Sequence, residues 1–190
     1  MAFQKNVNAD IAWGIPGELG LGFPPDVRAE PVSLNATFNG ASGVATPYGR
    51  AMTKADAPAL GYGTTPPHAT IAQFGGTGAF LGLLANPKAG VAYAALGDAP
   101  GIEKGAALEV VSETHGIWAL LTSSGNVGDG VAFLTATTDS TVAGTLKAAP
   151  AQVAPANHKL IPGARIVRFD VNTGLALIAL QQLPTPAVAP

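Results

Sequence analysis

Three histidines, His68, His115 and His158, are the side chains of this Cys-free chain best suited to proton transfer near neutral pH, and none has the His or carboxylate pattern of a metal site beside it. Only the fold could bring them together. His68 follows Pro66-Pro67 and His115 precedes a glycine, so each reads as a loop histidine, solvated or hydrogen-bonded to its own turn. Among the carboxylates, Glu109 and Glu113 share one face of a strand, but they would stand ~13 Å apart along it. A glycosidase pair needs roughly 5–9 Å. The glycine clusters Gly17-Glu18-Leu19-Gly20-Leu21-Gly22 and Gly75-Gly76-Thr77-Gly78 lack the Lys-Ser/Thr ending of a phosphate loop and open no helix, so they read as turns. Asn35-Ala36-Thr37 matches a glycosylation acceptor, yet the N-terminus, Met1-Ala2-Phe3-Gln4-Lys5-Asn6, carries no apolar secretory segment. No catalytic residue, cofactor site or metal site is expected, and the protein is read as a non-enzyme.

Charged residues are 12% of 190 positions, about half the ~25% of an average soluble domain, while Gly (24) and Pro (16) recur along the whole chain. Such punctuation leaves little room for helices and suits short strands joined by turns. The fold class is therefore all-β, a compact β-sandwich or jelly-roll-like domain or a small β-barrel. A net charge of -2 supplies no basic field, so neither nucleic acid nor an anionic membrane is an expected partner. Apolar runs such as Leu175 to Leu180 are far shorter than the ~20 residues of a spanning helix. Without disulfides, stapling must come from the core or from neighbouring subunits.

Three regions follow. Residues 1–35 hold Pro16, Pro24, Pro25 and Pro31 with the isolated aromatics Phe3, Trp13 and Phe23, and no period persists; they read as an extended N-terminal arm that reaches a neighbour, with lying across its own sheet or disorder as the alternatives. Residues 36–183 form the β-domain, and Pro-rich residues 184–190 an extended tail. From Ala57 through Pro87 there is no charged residue, as in a buried interface or a core strand at Ala79 to Leu84. Leu108 to Thr114 and Ile117 to Thr122 read as a hairpin turning at His115-Gly116. Val131 to Thr135 is a strand, with a short return at Gly144-Thr145-Leu146. In Ala164 to Val171, alternation places Ile166, Arg168 and Asp170 on one face and Val167, Phe169 and Val171 on the other. After a turn at Asn172-Thr173-Gly174, the uniformly apolar Leu175 to Leu180 reads as a central strand covered on both faces.

The succession of Met1-Ala2-Phe3-Gln4, Ala79-Phe80-Leu81-Gly82-Leu83-Leu84-Ala85-Asn86-Pro87-Lys88, Glu109-Val110 through Gly116-Ile117-Trp118-Ala119, Val127-Gly128-Asp129-Gly130-Val131-Ala132-Phe133, and Ile161-Pro162-Gly163-Ala164-Arg165 leading to Gly174-Leu175-Ala176-Leu177-Ile178 resembles the structural cement, or capsid decoration, proteins of tailed bacteriophages. The resemblance implies a noncatalytic protein, made in the bacterial host cytoplasm, on the outer capsid surface of the virion, where it bridges major capsid protein subunits as a small homo-oligomer, a trimer in preference to a dimer. A head-fibre or spike module that binds a host surface or carbohydrate is the alternative. Apolar character marks Phe3, Trp13, Phe23 and Pro24 of the arm, and Tyr62, Phe74 and Phe80 of the uncharged stretch, as candidate interaction residues.

Overall fold

The computed structural model describes residues 14–20, 27–36, 38, 46–55, 70–86, 102, 104–138 and 141–181. Its elements are β1 (Arg28–Leu34), β2 (Ala51–Lys54), β3 (Thr70–Phe74), β4 (Phe80–Leu84), β5 (Ala107–Leu120), β6 (Gly130–Leu134), β7 (Leu146–Ala149), a short 3-10 turn (Pro150–Gln152), β8 (His158–Phe169) and β9 (Leu175–Leu180). The all-β expectation holds, in its barrel form: β1, β3, β2, β4 and the first half of β5 hydrogen-bond in that order, and β1 pairs with β5 to close a five-stranded barrel. Arg28–Leu34, at the inner end of the expected arm, is thus a barrel stave.

Strand β5 is shared. Its 14 residues carry Ala107 to Glu113 in the first barrel, and from Thr114 onward they pair with β9, which leads on to β8, β6 and β7. A parallel bridge between Leu121 and Leu146, with Thr122 N–H donating to Leu146 O at 2.9 Å, ties the far edge of this second sheet back to the end of β5. The hairpin expected across His115-Gly116 is therefore not formed. A two-residue hairpin turn needs positive φ, and Gly116 does not have it; a register shift between Thr114 and Ile117 bends one continuous strand instead. Gly116 lies against the Leu177 side chain, whose Cδ1 would be 2.8 Å from a Cβ at 116.

Alternation along the shared wall fills two cores. Met52, Leu84 and Val110 point into the first barrel with Val32, Leu34, Phe38 and Ala72, whereas their neighbours Ala51, Leu83 and Val111 point the other way, into a cluster with Ile117, Phe133, Leu146, Ile161, Ile166, Ile178 and Leu180. The uncharged stretch is accordingly read, over its described part, as strands with both faces covered. Strand β9 is central and almost wholly buried, as expected.

Two local expectations are corrected. In β8, Ile166 is the inward residue (1% exposed), while Val167 and Val171 are 45% and 74% exposed. A register shift between Ile166 and Arg168 changes the parity of the strand, so Phe169 also reaches the core and strict alternation fails. The return strand starts at Leu146 rather than Gly144, because Gly144 (φ 81°) turns the chain, donating to Leu134 O while its own carbonyl receives Ala51 N–H.

Candidate interaction surface

The residues that could do chemistry are dispersed by this fold. His115 stands exposed in the middle of β5, and His158 opens β8 with Nδ1 2.7 Å from Ala156 O. His68 lies outside the described residues. Among the described residues, no group of three or more His, Cys, Asp or Glu side chains could hold a metal ion. Strands β1 and β9 occupy one edge of β5 end to end, Arg28 opposite Glu113 and Leu180 opposite Thr114, and a cleft of about 480 Å³ opens where they abut. Its polar walls include Arg28, Glu113, His115 and Gln181, and Arg28 Nη2 is 3.0 Å from Glu30 Oε1 with both side chains exposed. Solvent screens that pair, so it is no desolvated acid–base device.

The buried polar chemistry is structural. Arg50, 7% exposed, donates from Nε to Thr46 O (3.0 Å) and from Nη1 to Thr145 Oγ1 (2.6 Å), and its guanidinium lies 5.7 Å from the Phe38 ring centroid. Burial lowers its pKa and raises that of neighbouring Tyr48. Arg50 thus braces the start of β2 against the loop that precedes β7. Lys159 joins the two halves elsewhere, donating from Nζ to Thr77 O (3.1 Å) and Gly78 O (2.9 Å).

Of the candidate interaction residues, Phe74 and Phe80 fall in described strands. Both are half-buried and engaged within the chain: Phe74 packs on Phe38 with centroids 4.8 Å apart, and Phe80 stacks with the buried Phe133 at 6.0 Å. Phe3, Trp13, Phe23, Pro24 and Tyr62 lie outside the described residues. Large apolar side chains on the described surface are Ile15, Leu19, Val127, Val153, Val167 and Val171. Sequence reasoning missed these: the valines sit singly in turns or at the parity slip of β8, where no local pattern announces exposure.

One part of the expected arm is visible. Residues 14–20 run along the edge of β5 opposite β9, where Gly17 N–H donates to Trp118 O (2.7 Å), Trp118 N–H to Glu18 O (2.8 Å) and Gly20 N–H to Gly116 O (2.8 Å). Asn86 N–H, just past β4, donates to Gly17 O at 2.9 Å. This stretch therefore follows the arm's alternative of lying across its own sheet, and carries Ile15 and Leu19 outward at 58% and 39% exposure.

Comparison with known proteins gives the chain its family. Residues 3–181 match the model of the structural cement proteins, described as E217 gp24/Pam3 gp6. No curated protein matches. Among solved structures, a chain of the capsid of Myoviridae phage XM1 shares the fold with a TM-score of 0.59 and 15% sequence identity, over 96% of this chain and 99% of that one. With the family match spanning the barrel, the second sheet and the described part of the arm, the chain belongs to the structural cement protein family of phages, and its role is a structural, capsid-associated one.

Proposed function

We propose that this protein binds the outer surface of a shell of major capsid protein and bridges adjacent subunits, without catalysis, so that the head resists rupture. The observation that carries the reading is the family match over residues 3–181. Physical chemistry supports it. Cement joins subunits that share no covalent link, and several modest contacts presented by one assembly gain strength through effective concentration. A chain with 12% charged residues makes contacts that salt hardly screens. The working unit is a homo-oligomer, a trimer in preference to a dimer, since closed symmetry lets one patch serve every copy. Contact with neighbours falls to the arm and the uncharged stretch, through Phe3, Trp13, Phe23, Pro24, Tyr62, Phe74 and Phe80, the last two half-buried against Phe38 and Phe133 and offering their remaining surface. Nucleic acid and membrane have no part.

The test is direct. Heads prepared with and without the protein are sedimented and then heated. Many copies travelling with the heads, and release of genome at lower temperature from heads that lack it, are the expected results. Equal heat resistance would refute stabilisation, and absence from the pellet would refute shell binding.

A further inference from the structure

We infer that residues 14–20 are a fitted strap that locks the root of the arm onto β5, and that this lock, through Trp118, fixes where the arm leaves the β-domain. The inference rests on the reading above for what the arm binds. Three independent features carry it.

First, the strap behaves as an added strand. Its hydrogen bonds to Gly116 and Trp118, and the bond from Asn86, occupy the stretch of β5 edge that begins where β4 ends, so the sheet edge there is filled by the arm itself. Second, the fit requires glycine at two points. A Cβ on Gly14 would run into the Trp118 indole, and one on Gly17 (φ 80°) would come 2.7 Å from Tyr48 Cβ, 2.8 Å from Asn86 N and 2.9 Å from Leu84 O. The strap therefore lies too close to Trp118, Tyr48 and the Leu84–Asn86 backbone to carry side chains at positions 14 and 17. Third, its own large side chains take no part in that seat. Ile15 and Leu19 face outward, and what is buried is the receptor side, with Trp118 at 6% exposure. The strap is thus held at a defined place by its main chain, which lowers the conformational cost of presenting whatever precedes it to a partner.

The experiment uses the full-length chain with Gly17→Val and, separately, Gly14→Val. In a Trp13→Phe background Trp118 is the sole indole, and its quenching by acrylamide reports the strap. The expected result is weak quenching with the glycines present and a several-fold rise in both variants, with the far-ultraviolet β-sheet spectrum retained. In the Trp13-containing background, affinity for heads then falls by an order of magnitude. Strong quenching before any glycine is replaced, or no rise in Gly14→Val, overturns the lock. Raised quenching with undiminished affinity overturns its role in placing the arm. If the unsubstituted protein binds no heads, the proposed function fails, while the quenching arm still decides the lock.

Discussion

Leu83→Ala tests whether the barrel and the second sheet stand or fall together. Leu83 sits on β4, a stave of the barrel, yet it is fully buried in the cluster that lines the second sheet, alongside Val111, Ile117 and Phe133. Removing three carbons from a site with no exposure loses their transfer free energy and leaves a cavity, together about 2–5 kcal/mol for such a residue. Opposing backbone limits collapse: Leu83 is paired with Ala51 on one side and Val111 on the other, both themselves buried. A loss of about 3 kcal/mol is therefore expected. For a chain of this length each kcal/mol moves Tm by roughly 2–4 °C, so Tm falls by ~6–12 °C. Calorimetry and urea titration check this, with the midpoint lowered, the slope unchanged and a single transition retained. Two separated transitions, or a loss under about 1 kcal/mol, would refute the shared wall.

Other outcomes follow from particular residues. Arg50→Met keeps the bulk of the side chain but removes the donors to Thr46 O and Thr145 Oγ1, the latter retaining its bond to Val142 O, and should cost about 1–3 kcal/mol in chemical denaturation. Asp170 accepts hydrogen bonds from Thr173 Oγ1 (2.8 Å) and Asn172 N–H (3.0 Å), which lower its pKa below 3.8. Its contribution is thus full above the unfolded carboxylate value and is lost as pH drops through the lower folded value; the stability difference from Asp170→Asn should shrink in that acidic window and stay flat at neutral pH. Gly144→Ala, at φ 81° with a Cβ 2.6 Å from Ala51 O, should cost more than Gly128→Ala, at φ 93° with open space around it. The second substitution carries only the backbone term, about 1–2 kcal/mol, and the gap between the two Tm values measures the clash.

Much of the fold was legible locally. Frequent Gly and Pro pointed to short strands in place of helices, and uninterrupted apolar character marked Leu175 to Leu180 as a central strand, because a strand covered on both faces has no polar side to show. Ala79 to Leu84 was readable for the same reason, and the ordered succession of short motifs pointed to the family. The candidate site was less legible. Aromatic character identified Phe74 and Phe80 as residues that need a partner, but not that Phe38 and Phe133 of the same chain supply it.

What the sequence by itself determined, then, is the class of element, strands joined by turns, and the family whose succession of motifs it carries, since both follow from which residue types are present and in what order. Tertiary structure alone decided that β5 continues as one bent strand through Gly116, that β1 returns to close a barrel, that β8 changes parity after Ile166, and that Gly14 to Gly20 strap down over Trp118. A sheet satisfies its backbone through strands far away in the chain, so whether a glycine turns, bulges or merely makes room depends on which distant strand lies against it.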